Sequence, residues 1–498
     1  MIILYAVLCL GAITTLYPFA IMISTGFKGA TDQNDTHLVP VFWNNTFGKD
    51  ETGKLAPESL YAKYLADKYA GDTSQIESTR VGADQSVKGY EAFLMGLPLD
   101  YWAAGFRNAP NQVTGRLARR YQAWLQRRFA TIDELNRAYT EENVGFQTVA
   151  VPSELLERKF WHPLAGPKYD DWLVFKATLP AEFRLPVRLQ HMWQEFLRAK
   201  NENSFDRVPP ELRGAQTRFE GLSLPTNSVH PLVREFIRSI PERFATDSCE
   251  ARYGGTLPIA AYETAFVTSH RSELAREFTG RNYAYVADYV ALNGRALWNT
   301  ILFCLLAIVT QLTVNPLAAY ALSRFPIRAS ARILIFLLAT MAFPAEVAMI
   351  PSFLLLKQLG LLNTFAALVL PSAASGYMIF LLKGFFDSLP TELFESGQID
   401  GAKESTMMLR IAFPLSRPVL GYLALTAFMG AYGAFLYAFL VAQDQKVWTL
   451  TVFVYQLQNV APKAVMMAAL ALVALPTLIV FLFAQGVIMR GIILPGEK

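Results

Sequence analysis

Six stretches of this chain are each long enough and apolar enough to cross a lipid bilayer, and their spacing is very uneven. A spanning helix needs about 20 apolar residues, because the hydrocarbon core is about 30 Å thick and each helical residue rises about 1.5 Å. The stretches run approximately 1–27, 296–322, 333–354, 365–386, 418–441 and 464–489. Between the first and second, residues 29–290 carry 31 Lys/Arg and 33 Asp/Glu, whereas the other 236 positions carry only 14 and 8. A near-neutral, water-compatible segment therefore interrupts a strongly apolar protein. With 53% hydrophobic residues and a mean hydropathy of +0.25, a single soluble globule is excluded. The net charge of +4 is no argument for nucleic acid, because the excess lies in the apolar part. The first stretch has no basic start, exceeds signal-peptide length and lacks a small-x-small cleavage site before Lys28, so it reads as an uncleaved anchor.

Orientation follows from the short loops, since Lys and Arg accumulate on the cytoplasmic side. Arg324, Arg328 and Arg332 fall between the second and third stretches. Lys383, Lys403, Arg410 and Arg417 fall at or between the fourth and fifth, and Arg490 and Lys498 follow the sixth. The opposite side holds only Lys357, Lys446 and Lys463. Both termini are expected inside and the long 29–290 segment outside.

Three cysteines (Cys9, Cys249, Cys304) offer no disulfide framework, since only Cys249 lies in the water-compatible segment. The five histidines, at 37, 162, 191, 230 and 270, lack the close spacing of a metal site. Neither a cofactor nor a catalytic constellation is read from the sequence. No G-x-x-x-x-G-K-[ST] run occurs, so the chain has no nucleotide-hydrolysing motif of its own.

The link between the fourth and fifth stretches is the most informative. Pro390-Thr391-Glu392 opens a helix, with the acid favourable to the N-terminal dipole. Gly401 then permits a left-handed turn, and a second helix carries Met407, Met408 and Ile411 before Pro414 and Pro418. Two short helices at a bend, with small residues at Ser396, Gly397 and Ala402, form a knob that another protein can approach closely.

This segment resembles the coupling-loop motif of importer permeases: Glu-Ala-Ala, three residues, Gly, nine residues, Ile-x-Leu-Pro. Glu395, Gly401, Ile411 and Pro414 stand at the matching spacings, with Ser396 and Gly397 for the alanines and Phe413 for the leucine. The likeness continues through Tyr17-Pro18 and Ser24-Thr25-Gly26-Phe27-Lys28, Asn299-Thr300, Ala319 to Phe325, Leu359 to Thr364, Trp448-Thr449-Leu450, and Gln485 to Lys498. It covers roughly 1–28 and 287–498 and is similar to the maltose-type sugar permeases, specifically the smaller of their two permease subunits.

The resemblance implies an all-α integral membrane protein with six transmembrane helices of the type I ABC importer fold. The implied parts are a first helix (1–28), a largely helical extracytoplasmic insertion (29–286) and a five-helix core (287–498) with a cytoplasmic coupling loop at 384–417. It further implies a multi-pass inner-membrane location, a second permease subunit, a cytoplasmic ABC ATPase dimer that hydrolyses the ATP, a solute-binding protein and a carbohydrate substrate. In such a chain Glu395, Ser396, Gly397, Asp400, Gly401, Ala402, Ile411 and Pro414 shape the ATPase contact, and the external loop 442–463 faces the binding protein. An alternative is a membrane-anchored sugar-processing or sensing protein on a permease scaffold.

Polar residues inside spans mark candidate pathways. Glu346 is the only acid inside the core of a stretch and is flanked by Pro344 and Pro351; Gln311 and Asn315-Pro316 are further candidates, with packing as the competing role. Phe428, Tyr432, Phe435 and Phe439 fall on one face if the fifth stretch is a single helix, a face suited either to stacking on sugar rings or to packing. Tyr432-Gly433-Ala434 stands where relatives often carry Trp-Asn-Asp, which removes polar groups.

The insertion repeats a motif, aromatic-x-x-aromatic-Leu-x-x-basic: Tyr61 to Lys68, Tyr121 to Arg128 and Trp193 to Lys200. Each copy places apolar residues on one amphipathic helix face. Thr131-Ile132-Asp133-Glu134 reads as a capping box, and Arg128-Phe129-Ala130-Thr131 recurs at Arg243 to Thr246. Degenerate helix-pair repeats forming a docking or scaffold domain are expected. The run Ile132 to Tyr139 faintly resembles accessory helices of some glycoside hydrolases, without the strand–helix alternation of a catalytic barrel.

Overall fold

The computed structural model describes residues 2–49, 55–70, 84–107, 115–143, 145–160, 165–225, 229–288, 295–342, 344–459 and 461–491. His162 and the tail residues 492–498 lie outside the described residues. The chain forms two compact units, Met1–Asn282 with Val460–Ala464, and Tyr283–Asn459 with Val465–Lys498.

The first unit begins with α1 (Ile2–Gly26), whose side chains from Ile3 to Phe19 are exposed. Such a face suits hydrocarbon, since an α-helix satisfies its own backbone. The end of α1 is held tightly. Asn282 Nδ2 donates to the carbonyl of Gly26 (2.9 Å), one of those a helix leaves unpaired at its C-terminus, and to that of Lys28 just beyond it (2.6 Å). Lys28 is buried and its ammonium donates to the carbonyls of Asp35 and His37.

The remaining helices of this unit used below are α2 (Leu60–Lys68), α3 (Asp84–Gly96), α4 (Arg116–Arg128), α5 (Ile132–Tyr139), α6 (Pro167–Ala177), α7 (Leu189–Lys200), α8 (Pro231–Ser239), α9 (Ile259–Ser269) and α10 (Arg271–Val286). The recurring motif falls on α2, α4 and α7, and each of these meets a second helix in the same way. Tyr64 of α2 stacks on Phe266 of α9 at 5.5 Å while Lys68 bonds Glu263. Tyr121 of α4 meets Trp172 and Phe175 of α6 while Arg128 bonds Asp171. Trp193 and Phe196 of α7 meet Phe236 of α8 while Lys200 bonds Glu235. The aromatic contacts bury large apolar areas, and each adds about 1 kcal/mol beyond its area. The ion pairs differ in worth because Lys68–Glu263 is sealed in the core whereas Lys200–Glu235 is half exposed.

At the start of α5, Thr131 accepts from the Glu134 N–H, and the Glu134 carboxylate reaches back to the Ala130 N–H rather than that of Thr131. A short antiparallel ribbon, β1 (Trp102–Ala104) with β2 (Arg184–Pro186), pairs Ala103 with Leu185. Beside it the buried Glu154 carboxylate accepts from the Ala104 N–H, Arg107, Trp172 Nε1 and Lys176. Burial works to raise its pKa, but the Lys176 and Arg107 charges and these hydrogen bonds win and hold it below the usual carboxylate range.

The second unit is built around α11 (Ala296–Arg324), followed by α12 (Ser330–Ala339), α13 (Ala345–Gln358), α14 (Phe365–Val369), α15 (Gly376–Asp387), α16 (Thr391–Ile399), α17 (Arg417–Tyr432), α18 (Phe435–Val441), α19 (Leu450–Leu457) and α20 (Lys463–Gly491). Helix α11 packs mainly against α15 and α17. Among the described residues α1, α11 and α20 each suffice by length and composition to cross a membrane, and two bent pairs, each counted as one span, raise this to five. The stretch 365–386 is one such pair, bent by 51° between Ser372 and Gly376. The stretch 333–354 divides into α12 and α13 next to Pro344, whereas Pro351 stays within α13. The stretch 418–441 is not one helix: Ala434, at φ −74° and ψ 49°, separates α17 from α18.

Two outcomes test this packing. Lys68→Met leaves the Glu263 carboxylate buried beside Tyr69 without its cation, and should destabilise the first unit by about 3–5 kcal/mol, read as a lower thermal midpoint of tryptophan fluorescence. Glu154 titrates below its unfolded value of about 4.3, so its stabilisation is complete above that pH and fades as pH falls through the depressed folded value. Arg107→Leu removes one of its cations, and acid unfolding should then begin at higher pH than in the parent chain.

Candidate functional site

The link between α15 and α17 forms a knob whose geometry is set by one turn. Helix α16 starts after Pro390 and ends in a left-handed turn at Gly401, φ +75°. The Ala402 N–H bonds the Gly397 carbonyl (2.9 Å) and the Gly401 N–H bonds that of Gln398 (3.0 Å), the two bonds of a Schellman ending. A Cβ at 401 meets no atom within 4 Å, so the glycine is required by its backbone conformation rather than by crowding. At Gly397 a Cβ comes to 3.4 Å from Met407 Sδ and 3.5 Å from Ile411 Cδ1, an ordinary contact. Close approach of the two arms thus occurs at Gly397.

The second arm runs from Glu404 through Met407, widens into a π turn at Met408–Ala412 closed by the Phe413 N–H on the Met408 carbonyl, and passes Pro414. It meets α17 at 83°. Phe394, Met407 and Ala412 form the buried inside of the knob. Glu395, Ser396, Asp400 and Gly401 are exposed, and Gly397, Ala402, Ile411 and Pro414 are half-buried. Four apolar side chains also face outward, Leu393, Ile399, Leu409 and Leu415, with Ile399 87% exposed.

The knob is fastened to the last two turns of α11. The Arg324 guanidinium lies 3.7 Å above the Phe394 ring and donates to the Phe386 carbonyl (2.7 Å). Tyr320 Oη donates to Glu404 (3.0 Å), and Ser323 Oγ to Asp387 (2.6 Å). Farther up α11, the fully buried Asn315 accepts from the Ser375 N–H (2.8 Å) at the bend between α14 and α15. Near its start, Asn299 donates to the carbonyls of Lys446 (2.9 Å) and Trp448 (3.0 Å), and Thr300 accepts from the Leu450 N–H (2.7 Å). Asn363, at φ +61°, accepts from the N–H groups of Gln443 and Asp444 and holds the other end of that loop.

The candidate pathway residues do not converge. Glu346 stands exposed in the first turn of α13. Tyr432 is buried, stacks on Phe428 at 5.6 Å and donates its hydroxyl to the Val473 carbonyl (2.6 Å). Phe435 lies on α18 against Phe439 and Tyr455. The break at Ala434 divides the expected single aromatic face into these two clusters. Gln311 Oε1 is buried and accepts no hydrogen bond among the described residues.

Sequence reasoning missed Tyr320, Arg324 and Asn363 as holders of these loops. A basic residue in the last turn of α11 and an aromatic at 394 were visible, but nothing in their spacing, 70 residues apart in the chain, joins them.

Residues 315–493 match the family model of the binding-protein-dependent transport system inner membrane component. The chain is 31% identical over 239 residues to the protein LplC of Bacillus subtilis, covering 45% of this chain and 80% of that one. It is 32% identical over 220 residues to the trehalose/maltose transport system permease protein MalG of Thermococcus litoralis, covering 43% and 79%. It is also 32% identical over 217 residues to the sn-glycerol-3-phosphate transport system permease protein UgpE of Yersinia enterocolitica, covering 42% and 76%. With its apolar helices, the chain belongs to the inner membrane component family of binding-protein-dependent transport systems.

Proposed function

We propose that this chain is one of two permease subunits of an importer for a carbohydrate, driven by a separate cytoplasmic ATPase dimer that docks on the knob at 395–414. The observation that carries the reading is the knob itself. Its inside is packed and tethered, while Leu393, Glu395, Ser396, Ile399, Asp400 and Gly401 are left open, and the 87% exposure of Ile399 suits a partner surface. The carbohydrate is supported by the trehalose/maltose relative, and sn-glycerol 3-phosphate is the competing substrate class.

The accompanying topology has six passes, with the broken stretch 333–354 and the divided stretch 418–441 each counted as one, both termini in the cytoplasm and an inner-membrane location. The 29–286 insertion lies outside and is built from the three matched helix pairs α2/α9, α4/α6 and α7/α8. The loop 442–463 faces a solute-binding protein. Glu346, Tyr432 and Phe435 remain assigned to the substrate route, with Tyr432 limited to its ring because its hydroxyl is already bonded.

The test is ATP hydrolysis by the purified complex in proteoliposomes, with a panel of oligosaccharides and sn-glycerol 3-phosphate presented on the cognate binding protein. Stimulation by an oligosaccharide is expected; stimulation by the glycerol phosphate alone would reassign the substrate. In the same assay Gly401→Val forces a β-branched residue into φ +75° at a local cost of about 1–2 kcal/mol and should lower stimulated turnover severalfold. Gly397→Ala should leave turnover intact, since its Cβ meets only ordinary contacts.

A further inference from the structure

Helix α11 is the element of the second unit whose buried polar side chains bond loops at both of its ends. From Thr300 to Tyr320 is 20 residues, about 30 Å of helix, which is about the thickness of a hydrocarbon core. At one end Asn299 and Thr300 hold the turn that opens α19: two carbonyls, of Lys446 and Trp448, and the Leu450 N–H all bond to successive residues of α11. The Leu450 N–H is a helix-start donor, and it receives its acceptor from a different helix. In the middle, Asn315 supplies an acceptor to the Ser375 N–H at the 51° bend between α14 and α15. At the other end Tyr320, Ser323 and Arg324 bond Glu404 on the second arm of the knob, the Phe394 ring on its first, and Phe386 and Asp387 at the end of α15 that leads into it.

Each of these side chains is buried or half-buried; Asn299, Thr300 and Asn315 bond backbone groups at chain breaks, whereas Tyr320, Ser323 and Arg324 bond exposed carboxylates, the Phe386 carbonyl and the Phe394 ring. Loss of a bond to the buried Asn299, Thr300 or Asn315 leaves a donor or acceptor uncompensated, so these bonds resist separation while the helix between them is stiff. Helix α20, by comparison, is bonded to α17 through the Tyr432 hydroxyl on its backbone and presents mainly apolar side chains.

We infer that α11 is the strut that carries displacement of the ATPase-docking knob to the loop 443–450, with Tyr320 and Arg324 as its positioning residues at one end and Asn299 and Thr300 at the other. This rests on the proposed docking of an ATPase at the knob. Movement of the knob pushes or rotates α11 through the Arg324–Phe394 and Tyr320–Glu404 contacts. The turn 446–450 follows because its backbone is bonded to α11 itself, and Asn363 passes the same movement to the segment before α14.

The experiment places a spin label at Gln443→Cys, an exposed loop position, in full-length chain carrying Cys9→Ala, Cys249→Ala and Cys304→Ala and assembled with its ATPase in proteoliposomes. The change in label mobility on trapping with MgATP and vanadate is recorded. Thr300→Val keeps the side-chain shape and removes the acceptor; it should retain ATPase capture and basal hydrolysis while reducing the label response about fivefold, the worth of one hydrogen bond. Thr300→Ser should restore the response. Tyr320→Phe, about 30 Å away at the knob, should reduce the same response at Gln443. Wild-type responses in Thr300→Val and Tyr320→Phe would overturn the strut while leaving ATPase docking intact. Failure of both variants to assemble would make these groups fold determinants and overturn it too. A parent chain that captures no ATPase would sink the docking reading, and the strut with it.

Discussion

Hydrocarbon cannot hydrogen-bond, and this constraint shapes the second unit throughout. Every backbone group in an apolar stretch must find a partner within its own helix or from a side chain brought to it. Where the chain breaks, at Ala373–Ser375 and at Trp448–Leu450, the missing partners come from α11, in Asn315, Asn299 and Thr300. Without them the bend and the turn would expose unpaired N–H and C=O groups at a cost of about 1–3 kcal/mol each. The few polar residues of α11 are therefore the condition under which its neighbours can bend.

The first unit obeys a different rule. Beyond α1 it fills its interior with large rings, Trp102, Trp172, Trp193, Tyr64, Tyr90 and Tyr121 among them. The charges admitted to that interior are matched closely. Glu154 accepts from four donors, and Glu263 takes both Lys68 and the Tyr69 hydroxyl. Such pairs add little net stability over an apolar replacement but penalise any arrangement that separates them, which fits helices of similar pattern that must choose the right partner.

Much of the second unit was legible because its signals are local. The knob's helix start at Pro390, its left-handed glycine at 401 and its second arm follow from residue types and spacing alone. Helices α1, α11 and α20 were legible from unbroken apolar runs. The breaks were less so: Pro344 stands at the start of α13 while Pro351 lies inside it, because proline removes one hydrogen bond and the surroundings decide whether that loss is absorbed. Gly433-Ala434 gave no warning that the aromatic face would divide. In the first unit the motif on α2, α4 and α7 was legible as a helix face, but the acids that receive its basic ends, Glu263, Asp171 and Glu235, were not, since they lie 35 to 195 residues away. Long-range partners of this kind leave no periodic trace.

The cap on α1 sets an order of events during synthesis. Asn282, which closes the carbonyls at the end of that helix, is 256 positions beyond Gly26. At about 5–20 residues per second the ribosome needs about 13–50 s to reach it. For that interval the helix end has open carbonyls and no fixed junction with the segment that follows. The junction forms only once α10 has been made and has folded back, so the end of α1 is fixed only when nearly all of the first unit has been translated.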